Sequence, residues 1–308
     1  MGTCEEFYST NSPPNDYEEK QKLLREFCEL HIKNKQYIVL ITSGGTTVPL
    51  EHNTVRFVDN FSGGVRGAAS AEYFLKSGYA VIFLHRLKSL EPFTRHFSGQ
   101  KFLEMLDLDE KQSSIKVKST YVDTVAPILR SYKAAQEGGK ILYINFTTLS
   151  EYFWLLRAAC ESLYDFGPHA LLYLAAAVSD FFVPPNEMAT HKIQSGSGPP
   201  KIQLQLVPKL LAPIVNNWVP NAFIVSFKLE TDENILISKS RGALNKYKHN
   251  LVIGNMLQTR RTRVIFVSPD NQEEVKLSRE QIIDGIEIEK KIVDKVVTEH
   301  CKFIQKQS

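Results

Sequence analysis

Two glycine pairs in one short stretch could expose backbone N–H groups to a ligand. Gly44–Gly45 follows the apolar run Tyr37–Thr42, and Gly63–Gly64 opens a helical pattern over 64–77 that includes Gly67. Free N–H groups at a helix start attract anions, and open α/β sheets bind ligands where their strands end. The turns therefore indicate a polyphosphate cradle, although glycine pairs at such junctions also serve as plain tight turns. Neither the P-loop pattern nor a clean G-x-G-x-x-G is present.

Two polar side chains lie between these turns. Arg56 offers a planar fork of donors that fits a phosphate, and Asn60 offers an amide that fits a carboxyl or carbonyl group. Taken alone, Arg56 would be a solvated surface charge and Asn60 a turn residue. Their place between two bare turns favours ligand binding for both.

A second group of candidates lies at the end of the buried run Leu171–Val178 and just after it. Ala176 and Ala177 near its end leave space for a ligand, and Asp180 could bind a substrate amide or hydroxyl or cap a turn. Residues 181–202 are rich in Pro, Gly and Ser, and a long irregular loop in a compact domain is often functional. The sequence therefore predicts a ligand-binding strand end with a flap beside it.

Three further residues have both an ordinary and a functional interpretation. Lys192 in the flap is either a solvated lysine or a charge delivered to a phosphate transition state. Phe227 is either a core ring or a surface on which a purine stacks, and Asn255 is either a turn residue or an amide that reads the base. No metal-ligand cluster and no Ser–His–Asp spacing accompanies them, so metal ligands stay unknown.

The totals exclude several classes of protein. The chain has 308 residues, of which 43% are hydrophobic and 23% charged, which is typical of a soluble globular protein. A net charge of +3 is too small to favour binding to nucleic acid or to a membrane. Of the scattered cysteines, Cys28 and Cys160 fall on apolar helix faces and are expected to be buried free thiols. A cytoplasmic protein is therefore expected.

Short apolar β-branched runs alternate with helical patterns along most of the chain. This alternation predicts an α/β fold, with a doubly wound, mostly parallel, Rossmann-like sheet and helices on both faces. The expected strands are 37–42, 79–85, 140–146, 170–178, 222–227 and 251–254. The expected helices are 17–34, 64–77, 122–137, 149–164, 208–217, 233–248 and 280–300. Two more runs, 263–268 and 274–277, flank the turn Pro269–Gln272 and predict a C-terminal hairpin.

Local signals also predict boundaries. Residues 1–15 are polar and contain proline, which predicts a mobile N-terminal tail. Residues 16–308 are expected to form a single domain that includes the flap. Thr148 followed by Glu151 is a capping box, and it predicts where one helix begins.

Several ordered stretches resemble phosphopantothenoylcysteine synthetase, the phosphopantothenate–cysteine ligase of coenzyme A biosynthesis, in its eukaryotic single-function form. They are ITSGGTTVPLE, VRFVDNFSGGVRGAASAEYFLKSGYAVIFLHR, FTTLSEYFWLL, YLAAAVSDFFVPPNEMATHKIQS, VPKLL, FIVSFKLETD and IEIEKKIVDKVV. They run from about residue 37 to 300. Several motifs agree in order, which makes the resemblance specific.

The resemblance implies a ligase that joins 4′-phosphopantothenate to L-cysteine. ATP first activates the carboxylate as an acyl-adenylate and releases pyrophosphate, and the cysteine amine then displaces AMP. ATP is the expected nucleotide, CTP is the alternative, and Mg²⁺ accompanies the triphosphate. The resemblance also implies a homodimer.

The family's functional positions can be carried over to this sequence. Its nucleotide-binding positions fall on Gly44, Ser62, Gly64, Gly67, Phe227 and Asn255. Its phosphopantothenate-binding positions fall on Asn60, Ala176, Ala177, Asp180 and, from the other subunit, Arg56. Lys192 and Asn60 are the expected catalytic residues. Gly63 departs from the family, which commonly has Ser there.

Two other classes of function compete with the ligase. A Rossmann-type oxidoreductase is disfavoured because G-x-G-x-x-G is absent and no suitably placed acid follows the second strand. A nucleotide-binding regulator without chemistry is suggested only by the substitution at Gly63. A product assay with ATP, phosphopantothenate and cysteine separates the three.

Overall fold

A large β-sheet forms the centre of the computed structural model, which describes residues 3–97, 99–109, 111 and 113–307. The strands in chain order are β1 (Ile38–Ser43), β2 (Thr47–Pro49), β3 (Phe57–Asp59), β4 (Ala80–Arg86), β5 (Leu106–Asp109), β6 (Ser114–Val117), β7 (Ile141–Phe146), β8 (Ala170–Leu174), β9 (Phe181–Phe182), β10 (Gln205–Leu206), β11 (Phe223–Glu230), β12 (Leu251–Met256), β13 (Arg263–Val267) and β14 (Gln272–Lys276). The α-helices are α1 (Cys4–Thr10), α2 (Tyr17–Lys33), α3 (Val65–Lys76), α4 (Gln100–Glu104), α5 (Ser119–Glu137), α6 (Leu149–Ser162), α7 (Leu211–Pro213), α8 (Glu233–Tyr247), α9 (Arg279–Ile283) and α10 (Ile288–Gln307).

The strand order places a ligand-binding position in the middle of the sheet. The order is β14-β13-β12-β11-β8-β1-β4-β7, and the strands from β12 to β7 run parallel. β13 and β14 form an antiparallel hairpin at one edge. The predicted α/β fold with its C-terminal hairpin is therefore confirmed. The chain moves outward from β1 through β4 to β7, and β8 then returns to the other side of β1, where such sheets bind ligands.

Alternate side chains of the central strands pack on opposite faces of the sheet. Ile38 and Leu40 of β1 pack in the core that contains α2 and α6. Val39 and Ile41 pack in the core that contains α3 and α10. A strand that is covered on both faces needs a continuous apolar run, which is the signal that the sequence carries.

Within the described ranges, no helix combines the length and the apolarity that a membrane span requires. Cys28 of α2 and Cys160 of α6 are buried free thiols, as predicted. Burial raises the pKa of the Cys28 thiol to about 12 and that of Cys160 further, so neither is a reactive thiolate at neutral pH.

Several element boundaries differ from the sequence prediction. Helix α5 begins at Ser119 rather than at 122, and the helix expected over 208–217 is the short α7 followed by a π-helix, Ile214–Trp218. Two further differences have a clear local cause. The strand expected over 170–178 ends at Leu174, because the residues that follow form hydrogen bonds with the loop after β1. The helix expected over 280–300 is split into α9 and α10. Gly285 lies between them with φ +69°, a conformation that favours glycine and ends the first helix.

The N-terminal segment also differs from the mobile tail predicted for residues 1–15. Helix α1 begins at a capping box, in which Thr3 Oγ1 accepts from Glu6 N at 3.1 Å and the Glu6 carboxylate accepts from Thr3 N at 2.7 Å. Phe7 is only 4% exposed, and its ring centroid lies 4.4 Å from that of Phe153 in α6. One buried aromatic residue thus attaches a segment whose polar composition suggested no packing.

Replacing Phe7 by Ala should lower the free energy of unfolding by about 3–5 kcal/mol, the usual cost of emptying a buried phenylalanine site. The ring fills the space between Phe153 and Phe182, which lie 4.4 and 5.4 Å away between centroids. Urea denaturation measures the change. Glu5→Ala on the exposed face of the same helix is the control and should change stability by less than about 0.5 kcal/mol. Equal stabilities of the two variants would contradict the packing of α1.

Three small ribbons lie outside the main sheet, and the sequence analysis did not predict them. β2 pairs with β3, β5 with β6, and β9 with β10, all antiparallel. The β9–β10 ribbon pairs the first residues of the predicted flap over 181–202 with residues just after it. The flap is therefore a loop closed at its base.

Candidate active site

The loops that follow β1 and β8 form one hydrogen-bonded layer of backbone. Gly45 and Ala177 form an isolated parallel bridge. Thr46 N donates to Ala177 O at 3.1 Å, and Ala177 N donates to Gly44 O at 2.8 Å. The structure thus brings together two predicted site residues, Gly44 and Ala177, that are far apart in the sequence.

Two threonines that the sequence analysis missed hold the rest of this layer. Thr42 Oγ1 accepts from Ala176 N at 3.1 Å, and Thr46 Oγ1 accepts from Ser179 N at 3.0 Å. Thr46 O accepts from Asn60 N at 3.1 Å. Ala176 and Asn60 therefore belong to the same edge of the sheet. The sequence feature that could have identified these threonines is their position on either side of the first glycine pair.

The first glycine pair permits a close approach of backbone to backbone. A Cβ on Gly45 would lie 1.7 Å from Asn60 O. Gly44 has φ +82°, and a Cβ there would lie 2.6 Å from the Cβ of Arg86. Both positions therefore require glycine, and Gly45 specifically allows the chain before Asn60 to reach the end of β1.

Replacing Gly45 by Ala should lower the free energy of unfolding by about 1–3 kcal/mol, because the added methyl group forces the Asn60 backbone away. Urea denaturation measures this loss. Gly63→Ser is the matched control in the second glycine pair. Among the described residues, nothing lies within 4 Å of a Cβ at Gly63, so this change should stay within about 0.5 kcal/mol. A Gly45→Ala protein as stable as the control would contradict the close approach.

The second glycine pair opens α3 directly over the end of β1. Gly64 is the N-cap residue with φ +81°, and as a glycine it has no side chain of its own to cap the helix. Ser43 Oγ donates to Gly64 O at 3.2 Å, and a Cβ on Gly67 would lie 2.4 Å from Ser43 Cβ. Ser62, which is partly exposed, directly precedes the pair. The uncapped N–H groups of α3 therefore lie beside the β1–β8 edge, as an anion site requires.

Phe227 and Asn255 lie on the neighbouring strands β11 and β12. The Phe227 ring packs edge-to-face on Tyr173 of β8, with centroids 4.9 Å apart and an interplanar angle of 73°. The guanidinium carbon of Arg66 lies 5.9 Å from the Phe227 centroid. Asn255 is 6% exposed, and its Nδ2 donates to Lys228 O at 3.3 Å. Because Arg66 belongs to the first turn of α3, Phe227 is a neighbour of the expected phosphate cradle.

Arg66 is a charged residue that the sequence analysis did not select. Its Nη1 donates to Glu289 Oε1 at 2.8 Å, and its Nη2 donates to Arg260 O at 2.5 Å. Burial raises the pKa of Glu289. The sequence feature that could have identified Arg66 is its place in the first turn of a helix that begins with glycine. Its partners could not be identified in this way, because they lie far away in the sequence.

Asp180 forms an ion pair with Lys209, another residue that the sequence analysis did not select. The Asp180 side chain is still 65% exposed. Its backbone O accepts from Val207 N at 3.0 Å, which joins the start of the flap to its end. Asp180 thus presents a solvent-accessible carboxylate whose charge is partly balanced.

Lys192 and Arg56 lie on two loops that contact each other. Lys192 is exposed, and within the described ranges its ammonium has no ion-pair or hydrogen-bond partner. Arg56 Nη1 donates to Glu51 Oε1 at 2.9 Å and to Ile193 O at 3.2 Å. The Arg56 side chain remains 44% exposed. Arg56 therefore has a role within its own chain, whatever it binds in addition.

The residues of this edge do not form a site for a resident metal ion. Among the described residues, no group of three or more His, Cys, Asp or Glu side chains is placed to hold one. The Asp180 carboxylate is paired with Lys209, and Arg86 Nη1 donates to Asp59 Oδ1 at 2.6 Å. Mg²⁺ that accompanies a nucleotide is held largely by phosphate oxygens and water, so it does not require such a group.

The chain is similar to known proteins over most of its length. Residues 156–302 match the family described as the DNA/pantothenate metabolism flavoprotein C-terminal domain. The human phosphopantothenate–cysteine ligase is 48% identical over 87% of this chain and 87% of its own length. The Saccharomyces cerevisiae phosphopantothenate–cysteine ligase CAB2 is 44% identical over 97% of this chain and 86% of its own length.

Solved structures are similar as well. A Cab2 mutant in complex with phosphopantothenate-cysteine has a TM-score of 0.90 and 44% identity, and the match covers 98% of this chain and 99% of that one. The DNA/pantothenate metabolism flavoprotein from Streptococcus pneumoniae shares the fold, with a TM-score of 0.57 at 19% identity over 88% of this chain and 100% of that one. This chain belongs to the phosphopantothenate–cysteine ligase family.

Proposed function

We propose that this protein joins 4′-phosphopantothenate to L-cysteine in coenzyme A biosynthesis and uses ATP to drive the reaction. The relatives named above and the product in the name of the Cab2 complex support the substrates. The observation that carries the proposal is the joined edge after β1 and β8, with an uncapped helix start and an exposed lysine nearby. Forming an acyl phosphate needs positioning and charge neutralisation more than it needs a base.

In the first step, the phosphopantothenate carboxylate attacks the α-phosphorus of ATP. A carboxylate–phosphorus bond forms, the bond to pyrophosphate breaks, and an acyl-adenylate results. Backbone N–H groups around Gly44, Ser62, Gly64 and Gly67 bind the phosphates, and Phe227 and Asn255 bind the base. Lys192 balances the negative charge that develops on the transferring phosphorus.

In the second step, the cysteine amine attacks the acyl carbon and AMP leaves. The Asn60 amide donates to the carbonyl oxygen while charge builds up on it. Ala176 and Ala177 leave room for the pantothenate chain, and Asp180 accepts hydrogen bonds from it. Arg56 of the partner subunit binds the substrate phosphate with its donor fork, which makes the enzyme a homodimer with composite sites.

Product analysis tests the proposal. The protein is mixed with ATP, phosphopantothenate and cysteine, and release of AMP and pyrophosphate is measured with and without cysteine. Cysteine-dependent AMP release supports the ligase, and ATP and CTP at equal concentration show which nucleotide is preferred. Consumption of a reduced nicotinamide cofactor without AMP release would support an oxidoreductase instead. Nucleotide binding without turnover would support a regulator.

A further inference from the structure

Glu51 is a buried carboxylate that none of the steps above uses. It follows β2 by two residues, and its side chain is 0% exposed. An ionised carboxylate in such a place is unfavourable unless donors surround it. Its partners should therefore indicate its role.

Both oxygens of Glu51 are fully occupied by N–H donors. Oε2 accepts from the backbone N–H groups of Val55 at 3.2 Å and Arg56 at 2.9 Å. Oε1 accepts from Arg56 Nη1 at 2.9 Å and from the backbone N–H of Ile193 at 3.3 Å. The Arg56 backbone N–H, with the other donors, lowers the pKa of Glu51 to about 2, so the carboxylate is charged at neutral pH.

The loop that carries Glu51 also forms a short backbone seam with the flap. Glu51 and Ala189 form an isolated parallel bridge. His52 N donates to Ala189 O at 2.9 Å, and Asn53 N donates to Thr190 O at 3.1 Å. The middle of the flap is therefore attached to this loop.

Ile193 closes the seam with both of its backbone groups. Its N–H donates to Glu51, and its O accepts from Arg56 Nη1 at 3.2 Å. Lys192 lies directly before Ile193, so its backbone is held against the loop that carries Glu51. One carboxylate thus orders both the lysine and the arginine that the proposed function uses.

We propose that Glu51 is a positioning residue that fixes Lys192 for its own site and Arg56 for the partner's site. The inference rests on the proposed function for the roles of those two side chains. Glu51 touches no reacting atom itself. A carboxylate suits the position because both of its oxygens accept, and N–H donors converge on each of them. A glutamine would replace one of these oxygens with an NH2 group, which cannot accept a hydrogen bond from the N–H donors there.

Hydrogen exchange tests the contact itself. In Glu51→Gln, the Ile193 amide should exchange about tenfold to a hundredfold faster, the range expected for loss of a hydrogen bond to a charged group. The measurement uses the full-length protein without substrates. Glu187→Gln is the matched control, because Glu187 is an exposed flap carboxylate that accepts from Gln205 at 2.6 Å. Unchanged exchange at Ile193 in Glu51→Gln would overturn the proposal.

Steady-state kinetics test the function of the contact. Glu51→Gln should lower kcat about tenfold through Lys192 and raise the KM for phosphopantothenate through Arg56, with the KM for ATP unchanged. In a Lys192→Gln background, Glu51→Gln should lower kcat no further, because both changes act through one ammonium. Additive losses of kcat, or equal rises in both KM values, would overturn the proposal in favour of a general structural defect.

A second variant covers a failure of Glu51→Gln to fold. Arg56→Met removes the Nη1 contacts to Glu51 and Ile193 but keeps the Arg56 backbone N–H, and it should also accelerate exchange at Ile193. Normal protection there would overturn the proposal.

If Lys192→Gln alone keeps wild-type turnover, the proposed role of Lys192 fails. The positioning role of Glu51 is then decided by exchange at Ile193 and by the KM for phosphopantothenate.

Discussion

Replacing Lys192 by Gln should slow formation of the acyl-adenylate by about a hundredfold or more while leaving the fold intact. The ammonium is exposed and, within the described ranges, has no partner in its own chain, so its loss removes no contact that stabilises the protein. Its backbone is held next to Ile193, whose N–H donates to the buried Glu51. A charge that is fixed before the reaction starts stabilises the transition state more than one that must be ordered during the reaction.

Single-turnover experiments with labelled ATP measure this step directly. Lys201→Gln is the matched control, because Lys201 is a second exposed lysine of the same loop. The control should form acyl-adenylate at the wild-type rate. If Lys192→Gln does so as well, Lys192 is only a surface charge, and the first step depends on the backbone cradle alone.

Mixing two inactive variants, Arg56→Ala and Asn60→Ala, should restore roughly a quarter of wild-type activity after random subunit exchange. If Arg56 acts on the partner's site, a heterodimer has one site with both lesions and one site with neither. Half of the dimers are then heterodimers, and half of their sites are intact. The expected substrate spans roughly 15 Å, which is beyond the reach of neighbouring side chains on one short loop.

The contacts of Arg56 within its own chain affect how much activity the mixed variants should recover. In Arg56→Ala, the backbone N–H groups of Val55, Arg56 and Ile193 are still available to Glu51, so the support for Lys192 is weakened but not removed. Recovery somewhat below a quarter would be consistent with loss of the Nη1 contacts. Absence of recovery, with exchange verified by mass spectrometry, would show that Arg56 acts within its own chain.

The sequence alone determined the class of fold, and it predicted a ligand edge where β1 and β8 end. Continuous apolar runs such as Tyr37–Thr42 predict strands that are covered on both faces, and the structure has β1 there, at Ile38–Ser43. The capping box at Thr148 sets the start of α6, where Thr148 Oγ1 accepts from Glu151 N at 3.2 Å. These signals are local, since they depend on side-chain period and on hydrogen bonds within one turn.

Other features of the candidate site were decided only by the tertiary structure. Glu51 accepts from Ile193, 142 residues further along the chain, and Arg66 donates to Glu289, 223 residues away. Phe7 packs on Phe153 although its own segment is polar. In each case the neighbouring sequence does not predict the contact, because the partner depends on which strands and loops become neighbours in the fold. A buried charge or ring is stabilised by what surrounds it, and the surroundings exist only after the sheet has formed.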